Sequence, residues 1–510
     1  MMSIHNASSF VFLCLANLIV VSAGMDSCES VDEFHSHGTV SDRQRYTHVF
    51  KSNLNMSGEK HLLDLDLFKV SCRKLIEAFP LDQVSGNFVR SVKNCIFSVS
   101  DPTPLRGPLM LGAVSKEVIE GLLDLDIAFS QSEDFLQYFS GGRLFPGSIP
   151  LTHRYGGHQF GYWAGQLGDG RAHLLGEYTS RSGERWELQL KGSGRTPYSR
   201  SGDGRAVLRS SVREFLCSEA MHFLGVPTSR AASLIVSEEP VWRDQFYNGT
   251  VKKERGAVVL RLAKSWFRIG SLEVLAKAGE QDLLRKLLDF VIEEQFPSVD
   301  SNDPDKYLIF FSQVVSETAN LIAQWMSVGF AHGVCNTDNF SLLSVTIDYG
   351  PFGFMESYNP EFVPNSSDDE GRYSIGSQAN VGLFNLEKLL ESLTPVLTSK
   401  QTQGAHQAAW ALQDLASHEL YADWVKMYRQ RLKRYVQAET ETRSINPRYV
   451  LRTWMAESAI RKAERNDYSE VALLQQTLSQ PYLTQAAAES AGYAARPPGW
   501  SVGLKVSCSS

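Results

Sequence analysis

The sequence predicts an α/β (α+β) fold in which a small β-rich lobe is followed by a helical lobe and a helical C-terminal extension. Three observations predict it. Strand-like runs enclosing one helix fill residues 171–263; long helical runs fill 281–330; and a polar loop rich in Asn and Asp, 332–339, follows the longest helix. The 510-residue length is too great for one core and implies two or three domain-sized units.

Residues 9–23 (SFVFLCLANLIVVSA) form an apolar run of signal-peptide length, with Val21 and Ala23 suited to cleavage after small residues. No Lys or Arg precedes it, and it is short for a membrane span; no other membrane-spanning candidate stands out. Residues 1–23 are therefore read as a signal-like or targeting-like segment, and the polar, acidic residues 24–60 as a flexible lead-in. Residues 171–177 and 186–191, joined by SRSGER, predict a β-hairpin. In 205–224, Leu208, Val212, Phe215, Leu216 and Phe223 make a helical stripe that Gly225 ends. Residues 230–236 and 256–263 predict strands, 281–295 and 305–330 helices, and 341–350 a short strand pair. Helical composition then runs from 384 to 480, and 365–371 and 398–405 read as exposed loops.

With 43% hydrophobic and 21% charged residues, the composition is that of a globular protein. The net charge of −7 is spread without a long block of one sign, which argues against general binding to nucleic acid or a membrane surface. Any basic residues that matter are local. Seven cysteines, at 14, 28, 72, 95, 217, 335 and 508, form no CxxC pair, so neither a zinc knuckle nor a disulfide scaffold is expected.

Residues 155–172 (YGGHQFGYWAGQLGDGRA) hold six glycines, which let backbone N–H groups face an anion, and end in Arg171, a fork suited to phosphate. The spacing is neither a dinucleotide fingerprint nor a P-loop, and a plain tight turn remains the alternative. In LQLKGSGRTPYSRSGDGRA, 188–206, Lys191 ends a strand and Glu214 lies on the following helix; a strand lysine paired with a helix glutamate fixes the nucleotide in kinases. In HGVCNTDNFSLLSVTIDYG, 332–350, His332 and Asn339 match the first and last residues of the kinase catalytic loop, and Asp348-Tyr349-Gly350 its metal-binding tripeptide. Asn339 and Asp348 offer oxygen ligands to hard Mg²⁺. Val334 stands where a kinase carries its catalytic aspartate and cannot accept a proton; Asp338 is the nearest carboxylate. Arg261 and Arg268, seven residues apart, would sit about two turns apart on a helix and could clamp a phosphate tail. This order of parts predicts a protein-kinase-like two-lobed fold.

Together YGGHQFG, WAGQLGDGRA, LKGSGRTPYSRSGDGRAVLRSS, HGVCNTDN and IDYGPFGFM resemble the selenoprotein O family over about residues 61–390, and again in NPRYVLRTWMAESAI and PPGWSVGLKVSCSS. The resemblance implies a kinase-like fold that binds ATP in a flipped orientation and, with Mg²⁺ or Mn²⁺, transfers AMP to Ser, Thr or Tyr hydroxyls of protein substrates. Carried over by position, Lys191 contacts phosphate and pairs with Glu214. Gly168, Gly170, Arg171, Arg261 and Arg268 line the phosphate side, and Asp203 and Gly204 lie near the base. Asn339 and Asp348 hold the metal, and Asp338 is the general base. On this reading 61–265 is the N-lobe with the nucleotide-binding loops, 266–390 the C-lobe with the catalytic and metal loop, and 391–510 a C-terminal helical region.

The chain departs from the family in places. The stretch at 390–445 is shorter than usual, Pro364 stands where some bacterial members have a cysteine, and Cys508 occupies a site where several animal members carry selenocysteine, leaving a redox role open. Eukaryotic members are typically mitochondrial, and a glycosylation sequon at Asn339-Phe340-Ser341 would endanger the metal asparagine in the secretory pathway, so the mitochondrial placement is preferred to the secretory one. A conventional kinase using Asp338 and an inactive ATP-binding pseudokinase are the alternatives.

Overall fold

Residues 62–399, 401–402 and 446–507 are described by the computed structural model. The strands are β1 (Leu81–Asp82), β2 (Phe97–Val99), β3 (Leu109–Val114), β4 (Leu151–His153), β5 (Gly156–Gln159), β6 (Tyr162–Gln166), β7 (Ala172–Thr179), β8 (Arg185–Lys191), β9 (Ala206–Val207), β10 (Arg230–Asp244), β11 (Val251–Ala263), β12 (Phe330–Ala331) and β13 (Gly353–Phe354). The helices are α1 (Arg73–Ala78), α2 (Lys116–Gly121), α3 (Glu133–Ser140), α4 (Leu208–Phe223), α5 (Ile269–Ala278), α6 (Gln281–Gln295), α7 (Lys306–Ser327), α8 (Gln378–Leu393), α9 (Thr453–Ala463), α10 (Ser469–Leu478) and α11 (Ala486–Ser490). Asp64–Ser510 forms one unit by its contacts. Strands dominate its first half and helices its second, as the sequence predicts.

A nine-stranded mixed sheet runs β1-β2-β4-β7-β8-β11-β10-β3, with β9 beside β11. The predicted hairpin is β7–β8, antiparallel, with Gly183 in the left-handed region at its turn (φ 83°). The two strands predicted at 230–236 and 256–263 are longer than expected and pair as one antiparallel hairpin, β10–β11. Helix α4 packs on β10 and β11 and is itself covered by α9 and α10, which explains why residues on every face of it are buried. Gly225 ends it with φ 79° and an N–H to His222 O. In α7, Phe310, Phe311, Val314, Leu321, Ile322 and Trp325 recur at helical spacing and fill the core against α8.

Four expectations are corrected. Ala206–Val207 pairs with Gly256–Ala257 as β9, so the helix begins at Leu208 rather than 205. No strand pair forms within 341–350: Ser344 (φ 50°) and Asp348 (φ 58°) are left-handed and break the extended run, and the two-stranded ladder is β12–β13, flanking the loop. Residues 365–371 are not a wholly exposed loop, because Asn365 and Asp368 are buried; Asn365 donates to Gly333 O and Asp368 accepts the N–H groups of Arg372 and Tyr373. The helical composition at 384–480 is realised by α8, which starts earlier at Gln378, and by α9 and α10. Residues 403–445 lie outside the described residues, and in the loop expected at 398–405 Gln401 and Thr402 are helical. The targeting-like segment, the lead-in and Cys508 also lie outside them. Among the described residues no helix is long and apolar enough to cross a membrane.

Burial has an electrostatic cost on β8. Glu187 is buried, and burial pushes its carboxyl up to about 8, although Trp266 N–H donates to Oε2 at 3.0 Å. A carboxyl raised in the folded state stabilises fully only below its unfolded value, and that contribution is lost as pH rises through the folded value. Glu187→Gln keeps the acceptor without the charge. Its melting temperature should match the parent's near pH 4.5 and exceed it increasingly up to about pH 8, by the equivalent of a few kcal/mol, when thermal melts are compared across that range.

Candidate active site

Glu187, Gln189 and Lys191 alternate along β8 with Leu188 and Leu190, and period-two geometry puts the three polar side chains on one face. Lys191 Nζ lies 2.8 Å from Glu214 Oε2 of α4, the predicted strand–helix pair. Arg261 is on β11, directly opposite Gln189, while Arg268 is the N-cap residue of α5. The two arginines are therefore not two turns apart on one helix; a strand end and a helix start bring them together.

They meet on Asp348. Lys191 donates to its Oδ1 at 3.1 Å, Arg261 Nη1 to Oδ1 at 2.6 Å and Arg268 Nη1 to Oδ2 at 2.8 Å. Burial alone would raise this carboxyl, but Arg261, Lys191 and Arg268 outweigh it and hold it well below the usual carboxylate range. Arg261 Nη1 also reaches Glu214 Oε1 at 2.7 Å. Burial pulls the Lys191 ammonium below its ordinary value, against the opposing pull of Glu214 and Asp348. His332 Nε2 lies 3.0 Å from Ile347 O and so braces the residue before Asp348.

Asp338 sits in the 3-10 turn Thr337–Asn339. Arg268 Nη1, which bonds Asp348, also donates to Asp338 O at 2.9 Å, so one guanidinium ties the two loops together. Asp338 Oδ2 accepts from Gln159 Nε2 at 3.1 Å, and Oδ1 is buried without a partner. Burial, opposed by Gln159 and Arg268, pushes the carboxyl up to about 7. The glycine-rich hairpin β5–β6 lies directly against it. A Cβ on Gly157 would fall 2.7 Å from Asp338 Oδ1, and His158 pins the hairpin through its N–H to Thr337 Oγ1 (2.7 Å) and Nδ1 beside Glu273 Oε1 (2.5 Å).

Gly168 and Gly170 leave room for Tyr198, whose ring would meet a Gly168 Cβ at 2.4 Å and whose carbonyl would meet a Gly170 Cβ at 2.8 Å. Arg171 lines a pocket with Lys191, Arg209, Arg213 and Glu214. Asp203 is held by Arg243 through two bonds of 2.7 Å, and Gly204 packs back to back with Gly194. Asn339 Nδ2 donates to Val334 O at 2.9 Å, which anchors its amide nitrogen. Among the described residues no group of three His, Cys, Asp or Glu is placed to hold a metal. Asn339 and Asp348 supply oxygen donors only, and beside them Asp338 keeps an unpartnered buried oxygen. That donor chemistry fits Mg²⁺, which takes few protein ligands and completes its shell with phosphate and water. Gln159, Gln189, Asp169 and the His158–Glu273 pair were not singled out from sequence; the alternation in WELQLK was the one available signal, for Gln189.

A buried strand lysine on a helix glutamate, two arginines and an oxygen-donor loop around one carboxylate define a nucleotide-using transferase. The chain belongs to the SelO family: the family model described as "Protein adenylyltransferase SelO" matches residues 108–407. It is 39% identical over 501 residues to "Protein nucleotidyltransferase YdiU" of Azoarcus sp. (strain BH72), covering 84% of this chain and 96% of that one. It is 41% identical over 475 residues to the protein of the same name from Thiobacillus denitrificans (80% and 95%), and 40% over 480 residues to that of Xanthomonas campestris pv. campestris strain B100 (79% and 92%). The first alignment is longer than the 84% of 510 residues it covers here, so that relative carries residues with no counterpart in this chain. These relatives are bacterial and lend no support to the mitochondrial placement or to the secretory one.

The fit of Gly157 against Asp338 can be tested directly. Gly157→Ala, whose added methyl must push the buried Asp338 side chain aside, should lower the melting temperature by a few degrees and lower kcat for nucleotide transfer by about tenfold or more, since an ångström of misplacement at the reacting groups is enough for that.

Proposed function

We propose that this chain is a Mg²⁺-dependent protein adenylyltransferase that transfers AMP from ATP to Ser, Thr or Tyr hydroxyls of protein substrates, with ATP reversed relative to its placement in protein kinases. The observation that carries the reading is the pair of facts at the catalytic loop: Val334 stands at the kinase base position, while Asp338, four residues on, is a buried carboxylate with one oxygen unpartnered. A base in that place serves a different approach of the hydroxyl. The names of the relatives, protein nucleotidyltransferases, agree with it.

In the proposed reaction the substrate hydroxyl oxygen forms a bond to the α-phosphorus of ATP. The bond from that phosphorus to the bridging oxygen of the β-phosphate breaks, pyrophosphate leaves, and the hydroxyl proton passes to Asp338. Lys191, Arg171, Arg261 and Arg268 hold the triphosphate and neutralise the charge that grows on the leaving pyrophosphate. Glu214 keeps Lys191 and Arg261 in place. Asp203 and Gly204 lie toward the base of the nucleotide. Asn339 and Asp348 would hold Mg²⁺, or Mn²⁺, which supplies further charge neutralisation at the phosphates when bound.

Incubation with ATP labelled on the α-phosphate should transfer label to protein, and Asp348→Ala or chelation of the metal should abolish it. Asp338→Asn should retain ATP binding and lose about 10²–10⁴-fold in kcat. Transfer of γ-label instead would make the chain a conventional kinase, and ATP binding without transfer of either label would make it a pseudokinase.

A further inference from the structure

We infer that Gln189 is a positioning residue for the nucleotide site: its side-chain amide fixes the Arg261 guanidinium and ties it to the glycine-rich loop through Asp169. The inference rests on the reading of Arg261 as a phosphate contact.

Gln189 is fully buried, and both ends of its amide are used. Oε1 accepts from Arg261 Nε at 3.0 Å and from Nη2 at 2.5 Å. Nε2 donates to Asp169 Oδ2 at 3.3 Å. Asp169 lies between Gly168 and Gly170. Its Oδ2 also takes the His153 N–H at 3.2 Å, and its carbonyl takes Thr196 Oγ1 at 2.8 Å. The loop that carries Arg171 is thus fastened to β8 by the same side chain that orients Arg261.

Sheet register makes this possible. Gln189 and Arg261 are direct cross-strand partners, and Gln189 shares a strand face with Lys191 two residues on. Arg261 distributes its donors between two sides: Nε and Nη2 go to Gln189, and Nη1 goes to Glu214 and Asp348. The Trp266 ring lies over the guanidinium plane, 4.4 Å from its carbon. The Gln189 side fixes the rotation about the planar fork, so that Nη1 faces Glu214 and Asp348. With that acceptor removed, two buried N–H groups lose their partner and the fork turns to find another. A neutral amide suits this role better than a carboxylate. It holds the arginine without cancelling the charge offered to a phosphate, and it can also donate to Asp169.

Binding of ATP with Mg²⁺ to the full chain, measured by titration calorimetry beside thermal melts, tests the inference. Gln189→Met, similar in length but with only a weak thioether acceptor, should weaken ATP binding by about tenfold or more. Leu190→Val, a buried change on the opposite face of the same strand, should lower the melting temperature and leave ATP affinity unchanged. Where Gln189→Met does not yield folded protein, Gln189→Asn, which withdraws the acceptor by one methylene, is read in the same way. A Gln189 variant that binds ATP like the parent, or an equal loss in Leu190→Val, would overturn the positioning role. A parent chain that binds no ATP would instead sink the nucleotide reading on which it rests.

Discussion

The Asp348 carboxylate, with three cations on its two oxygens, is the point on which the rest of the site depends. Lys191 comes from β8, Arg261 from β11 and Arg268 from the start of α5, and Asp348 itself sits in a left-handed backbone conformation. Such a conformation costs of order 1–3 kcal/mol for a non-glycine residue and persists only where its surroundings enforce it. Here they do: three donors aim at one carboxylate, Tyr349 packs into the core next to it, and His332 braces Ile347.

Buried ion pairs give little net stability, because desolvation offsets most of the attraction. Lys191, Arg261 and Arg268 are gathered with Glu214 and Asp348 in a buried place, with Asp169 held beyond Gln189 and Arg171 close to the same lysine in one pocket. A fold that needed only stability would fill that space with apolar side chains. Cations gathered in low dielectric suit a polyphosphate, which offers them the same charge-assisted hydrogen bonds that Asp348 and Glu214 do. In the glycine-rich hairpin, the missing Cβ of Gly157 admits the Asp338 side chain.

Much of this was legible in the sequence because it is encoded locally. Leu188 and Leu190 alternating with Gln189 and Lys191 specify a strand; the stripe from Leu208 to Phe223 followed by Gly225 specifies a helix and its end; and the lysine, glutamate, asparagine and aspartate stand in kinase order. The strand pair expected at 341–350 failed because apolar alternation in LLSVTI says nothing about the left-handed turns at Ser344 and Asp348. How the arginine pair comes together was not legible, because spacing alone does not show that a strand ending at Ala263 and a helix beginning at Ile269 bring Arg261 and Arg268 onto one carboxylate.

The sequence by itself determined most of the element types, the order of the chemical groups and the family, since each depends on neighbours a few residues apart. Only the tertiary structure decided which groups touch. Arg261 reaches Gln189 through strand register, Gly157 admits Asp338 through the packing of a hairpin on a distant loop, and Lys191 meets Asp348 across 157 residues of chain. The physical reason is that hydrophobic period fixes a local conformation, while register, backbone hand and long-range ion pairing are settled by contacts that exist only once the elements have packed.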